Sequence, residues 1–224
     1  MIQPTASLRE FQEFNNGLYE IVDDRNYGIT DLLSYLLRHA THILKAVRKA
    51  EHESTVYHLC MAFSWALAIA NRLHIDVSRE MWNRFPGVCP YCTAAPCCCK
   101  QRASERRLAD ASPKTEAPAS LPAWQEMFSD IYPNNSTQDS AMHLAEEVGE
   151  LSEAIRNYLA THREDLFDKN VEELVDVIAN LFGIATCLGY DLGAESARYF
   201  KSGCPKCNHA PCGCGYVSMD VPPI

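Results

Sequence analysis

Two short acidic words carry the strongest chemical signal in the chain. "HLAEEVGELSEAI" puts Glu147 and Glu150 three residues apart, and "VEELVDVIAN" does the same for Glu173 and Asp176, with Asn180 one turn further on. Residues at that spacing share one face of a helix. A single Glu pair of this kind ordinarily marks a solvated face. Here there are two pairs, on consecutive helical segments, each beside its apolar stripe. Antiparallel packing of the segments would gather four carboxylates in a partly buried place. Like charges gathered there repel and lose hydration. Hard divalent cations, Mg²⁺ or Mn²⁺, relieve both costs because they prefer carboxylate and water oxygens. A site so built takes an anionic polyphosphate only through metal bridges, and the cations can polarise phosphoryl oxygens and activate a water. Glu146, Glu153 and Glu172 fall toward the solvated face, and Asn180 is a candidate substrate contact.

A second chemistry is written twice. "CPYCTAAPCCC" (89–99) and "CPKCNHAPCGC" (204–214) share seven identities in eleven positions at a shift of 115 residues. Cys89, Cys92, Cys97 and Cys99 fall on Cys204, Cys207, Cys212 and Cys214. Four thiolates in one short loop suit a closed tetrahedral Zn²⁺ site, which is structural because no position is left for water. The alternative is a reduced cysteine-rich loop without metal. Cys98, where the second loop has Gly213, leaves the ligand set of the first loop ambiguous. Cys60 and Cys187 sit in apolar stripes and read as core residues.

The echo extends upstream and sets the organisation. The same shift lays "IANRLHIDV" (69–77) on "IATCLGYDL" (184–192), and "SLREFQE" (7–13) corresponds to "SLPAWQE" (120–126). The expected arrangement is two tandem repeats packed as an intrachain pseudo-dimer. They cover 1–99 and 120–216 and are joined by a polar, Ala-, Ser- and Pro-bearing linker at 100–119. The periodicity within each copy is helical. Leu144, Val148, Leu151, Ile155 and Leu159 form one stripe, and Leu174, Val177, Ile178, Leu181, Ala185 and Leu188 form another. Asn135, Ser136 or Thr137 is placed to cap the first helix, and Gly189 to end the second. "THREDLFDKN" reads as the turn between them. Shorter helices near Pro122 and over "GAESARYF" bring the count to about four per copy, so the fold class is all-α.

Bulk properties narrow the partners. The chain has 224 residues, a net charge of −9, 47% hydrophobic and 22% charged residues. That is enough for a real core. The acidic balance argues against sequence-independent nucleic-acid binding, which needs a basic surface. No secretory leader pattern is visible, and "LCMAFSWALAIANRLHI" is short for a membrane span and reads as a buried helix. The expectation is a cytoplasmic protein with no membrane partner, in a reducing compartment where clustered cysteines hold metal.

With its flanks "EEVGELSEAI" and "EELVDVIANLFGIA", the pattern Glu147-x-x-Glu150, 22 residues, Glu173-x-x-Asp176 resembles the MazG-like all-α nucleotide pyrophosphohydrolases over roughly residues 120 to 200. The resemblance implies a helical bundle, usually dimeric or tetrameric, so a homo-oligomer of the pseudo-dimer is expected. It implies Mg²⁺ held by Glu147, Glu150, Glu173 and Asp176. It also implies cleavage between the α and β phosphates of a nucleoside triphosphate to a monophosphate and pyrophosphate. The first copy departs from the pattern: the four acidic positions become His39, His42, His58 and Met61. Three histidines could form a second Zn²⁺ site. The plainer reading is a degenerate half that keeps the fold and scaffolds its partner. A non-catalytic nucleotide sensor or zinc-stabilised interaction module is the alternative to the enzyme.

Overall fold

The computed structural model describes residues 1–99, 116–133 and 135–214. Residues 100–115 of the expected linker, and 215–216 of the expected second copy, lie outside the described residues. Among the described residues there are eight α-helices and no strands. They are α1 (Leu8–Asn26), α2 (Ile29–Lys49), α3 (His52–Arg72), α4 (Val77–Arg84), α5 (Leu121–Ile131), α6 (Thr137–Thr161), α7 (Glu164–Leu188) and α8 (Leu192–Tyr199).

The ends are set by side chains that satisfy otherwise orphaned backbone groups. Ser7 caps α1 in a box with Glu10, Ser120 caps α5, and Asp76 and Asp191 cap the short α4 and α8. Of the three candidates before α6, Ser136 is the cap, accepting from the Asp139 N–H. Gly189 ends α7 in the left-handed region at φ 71°. The connection between α6 and α7 is far shorter than the expected "THREDLFDKN" turn. His162 closes α6 in the left-handed region, Arg163 is the N-cap of α7, and helix resumes at Glu164. Glu164 and Asp165 favour that start, because carboxylates in a first turn complement the helix dipole.

Two helices form the centre. On α3 the residues from Leu59 to Ser64 and from Ala66 to Ala70 are buried; on α7 those from Glu173 to Ala179 are. Both segments are apolar on nearly every side, the mark of a helix covered all round. α2 packs along α3, α6 along α7, and α3 on α7, while α4 crosses to α7 and α8 crosses to α3. One hydrophobic core therefore runs through all eight elements. A chain of rings, Phe11, Phe63, Phe182, Phe128 and Phe85, links α1 and α3 to α7 and α5, with neighbouring centroids 5.1–6.2 Å apart. Leu144, Val148, Leu151 and Ile155 are buried as their spacing predicts, but Leu159 at the end of that stripe is 40% exposed. Cys60 is buried, whereas Cys187 is half-exposed, donating from Sγ to the Asn135 carbonyl at 3.2 Å.

The two sets of four helices repeat their fastenings. Gln12 donates to the Ile75 carbonyl (2.7 Å) and accepts from the Val77 N–H (3.0 Å). Gln125 does the same to Tyr190 (2.6 Å) and Leu192 (3.0 Å). Each glutamine thus ties its first helix to the turn before its last. Gln125→Leu leaves the Tyr190 carbonyl and the Leu192 N–H without their partner. A loss of about 1–3 kcal/mol is expected, read as a lower urea midpoint at unchanged slope.

Candidate metal centre and its surroundings

Glu147 on α6 and Glu173 and Asp176 on α7 converge, each offering an oxygen within 4.8 Å of the others. Antiparallel packing of α6 on α7 achieves this, as the acidic spacing predicts. Glu173 is 1% and Asp176 6% exposed. Three oxygens are buried without a hydrogen-bond partner: Glu147 Oε2 and both Oε atoms of Glu173. Lys169 Nζ comes to 2.5 Å from Glu173 Oε1 and pairs with it as a charge. Glu150 stands exposed one turn along α6, outside the converging group, though its charge still reaches Glu147. The site therefore gathers three of the four expected carboxylates closely. Asn180 spends its amide within its own helix, donating to the Asp176 carbonyl at 3.0 Å. Glu146 and Glu153 are exposed as expected, while Glu172 is half-buried and pairs with Lys169 at 3.2 Å.

The residue that sequence reasoning missed is Arg84. It ends α4, and its guanidinium grips Asp176 bidentately, through Nε (2.9 Å) and Nη2; its Nη1 lies 4.0 Å from Glu172. Both sides of the Arg84–Asp176 pair are buried, at 9% and 8% side-chain exposure. The partners are 92 residues apart, and only the crossing of α4 onto α7 joins them, so no local pattern announces the pair. Its position in the second half is taken by Tyr199 on α8, whose ring meets Tyr57 on α3 at 5.6 Å.

Each cysteine loop gathers its own four sulfurs: Cys89, Cys92, Cys97 and Cys99 in one, Cys204, Cys207, Cys212 and Cys214 in the other. Either group could hold a metal such as zinc. Cys98 stands outside the four and donates its backbone N–H to Cys92 Sγ at 3.3 Å, as Gly213 does to Cys207 Sγ at 3.4 Å. Cys99 and Cys214 N–H groups reach Cys97 and Cys212 in the same way. Although desolvation opposes it, such N–H donation draws Cys92 and Cys207 below the usual thiol range, toward the thiolate form that binds metal. The loops dock on the opposite half. The Cys97 N–H donates to Ile131 O on α5 (2.7 Å), and the Cys212 N–H to Leu18 O on α1 (2.8 Å). Tyr132 lies beside Cys89 and Tyr19 beside Cys204.

The histidines that replace the acids also meet. His39 Nδ1 lies 2.9 Å from His58 Nδ1, and the His42 ring stacks on His58 at 4.5 Å. They are partly buried, not a solvated face.

In metal-free protein, burial first and then the charges of Asp176, Glu173 and Glu150 push the Glu147 carboxyl from 4.5 to about 8. The folded state then holds a proton that the unfolded chain releases across that window. Stability is therefore expected to fall as pH rises from 4.5 to about 8. Urea midpoints across this range should show the slope in wild type, and a flatter one in Glu147→Gln or with saturating Mg²⁺. For the loops, metal analysis of purified protein is expected to show bound Zn²⁺, reduced by about half when Cys204 and Cys207 become Ser, with a lower Tm.

No protein-family model, curated protein or solved structure matches this chain, so the chemistry of the site rests on its own residues.

Proposed function

We propose that the chain is a Mg²⁺-dependent nucleoside triphosphate pyrophosphohydrolase, cleaving the α–β phosphate bond to a monophosphate and pyrophosphate, with its active site in the second half. The observation that carries this reading is the convergence of Glu147, Glu173 and Asp176 within 4.8 Å, with three buried carboxylate oxygens lacking a hydrogen-bond partner. Carboxylates in that state call for a hard divalent cation. The donor set is all oxygen, which suits Mg²⁺ or Mn²⁺ and not the soft metals of the cysteine loops.

Glu147, Glu173 and Asp176 would hold the metal, with Glu150 exposed one turn along α6, adding negative charge to the site. Bound there, the cation would neutralise phosphate charge and lower the pKa of a coordinated water. The chain's own groups do the rest. With the cation bound, Glu147 would lose the proton that its buried, crowded place otherwise favours, and join the set as a carboxylate. Arg84 holds Asp176 through its guanidinium fork and so fixes the orientation of one carboxylate of the set. In this reading the acid-free half supplies a positioning residue as well as a scaffold. The tandem MazG-like architecture belongs to the same proposal, supported by the repeated fastenings at Gln12 and Gln125 and by the reciprocal docking of the two loops.

The test is pyrophosphate release from canonical and modified nucleoside triphosphates with and without Mg²⁺. Wild type is expected to turn over at least one of them only with the metal, and Glu173→Gln to lose about two orders of magnitude or more in rate. Nucleotide binding with no pyrophosphate release would instead select the sensor reading. Equal rates in wild type and Glu173→Gln would remove the site from the reaction.

A further inference from the structure

The first half holds a cavity of about 560 Å³ where α1, α2 and α3 meet the second cysteine loop. That size is typical of small-molecule sites, and its lining differs in kind from the carboxylate cluster. One part is aromatic. Tyr35 and Trp65 stack at 4.5 Å with their planes 8° apart, and Tyr27 stands edge-on to both at 5.4 and 5.9 Å. Another part is basic. Arg38, His39, His42 and His58 come from α2 and α3, and Lys206 joins them from the cysteine loop. Asp23 is the one carboxyl among the described lining residues, and burial raises it to about 7, against the pull of Arg72.

The three imidazoles crowd each other as the three carboxylates do across the molecule. Burial, then neighbouring imidazoles and Arg38, hold His39 at about 3 and His58 at about 4. Kept neutral, these imidazoles do not repel one another and can offer ring N–H groups to an anion.

We propose that this cavity binds a ligand made of a planar aromatic ring and a single phosphate, of nucleoside monophosphate class, without a divalent cation. The ring would pack on the Tyr35, Trp65 and Tyr27 group, since aromatic stacking is worth about 1–3 kcal/mol per base. The phosphate would lie against Arg38, His42 and His58, with Lys206 opposite. Charge balance sets the ligand class. With no carboxylate cluster to seat a metal, the cavity has no means of neutralising a triphosphate, whereas one guanidinium and one ammonium match the charge of a monophosphate, with the imidazoles as neutral donors. The inference does not depend on the hydrolase reading, because it concerns other residues and needs no metal.

The test is titration calorimetry of the full chain without added divalent cation and without chelator, which would also strip the cysteine loops. Purine and pyrimidine nucleoside monophosphates, the matching nucleosides and inorganic phosphate are the probes. At least one monophosphate is expected to bind at a single site, with its nucleoside and phosphate alone each about tenfold weaker or more. Arg38→Met, at an exposed position, and His58→Gln should each weaken the nucleotide about tenfold, with circular dichroism showing that both stay folded. Glu173→Gln should leave its affinity unchanged. Absence of binding by every monophosphate would overturn the proposal. So would phosphate or nucleoside binding as tightly as the nucleotide, or loss of binding in Glu173→Gln with retention in Arg38→Met.

Discussion

The arrangement turns on the burial of charged groups in the middle of α7. Glu173 and Asp176 lie on a segment whose neighbours from Leu174 to Ala179 are all core. Neither carboxylate can swing into water without lifting the helix off α3, α4, α5 or α6. Water would otherwise stabilise those charges, and the cost of its absence must be met locally. Arg84 meets it for Asp176 by reaching across from the other half. Lys169 meets part of it for Glu173 from one turn back on α7. Glu147 meets it by holding its proton until about pH 8. The remaining unpartnered oxygens are what a divalent cation would satisfy. Charge neutralisation and the crossing of α4 onto α7 are thus one structural fact.

A similar geometry built from neutral imidazoles stands in the first half. α2 and α3 correspond to α6 and α7 in order and packing, and the residues that meet between them are imidazoles. The partner from the crossing short helix changes in step. Where Arg84 faces Asp176, Tyr199 faces Tyr57 beside His58. The substitutions therefore form a set: acids with an arginine on one side, imidazoles with an aromatic ring on the other.

Local periodicity made much of this legible in the sequence. The Glu147 and Glu173 spacings place both on facing stripes, and the caps at Ser136 and Gly189 follow from side-chain chemistry at those positions. What escaped depends on contacts between distant segments. Arg84 reads as one more charge at the end of a short helix until α4 is seen to cross. Glu150 shares a helix face with Glu147, yet an angular offset along α6 leaves it exposed, a difference that i,i+3 reasoning does not resolve. The turn at 161–170 read as loop because its charges are dense, but acidic residues opening a helix are also what a first turn favours. Hydrophobic pattern reports which side of a helix is covered, not which neighbour covers it.

The cysteine loops fit this picture better as closures than as terminators. Each is written at the end of one half and hydrogen-bonded to the first helix of the other. The first loop borders the acidic site through Tyr132, which lies near both Cys89 and Asp176. The second forms part of the wall of the basic cavity through Cys204, Cys212, Cys214 and Lys206. Each loop packs cysteines into the common core, and a metal bound by its four sulfurs would add a second constraint on its shape. Fixing that shape also fixes the tyrosine and backbone carbonyl it rests on. A metal in either loop would therefore be structural in its own coordination and still set the geometry of a site built from the other half.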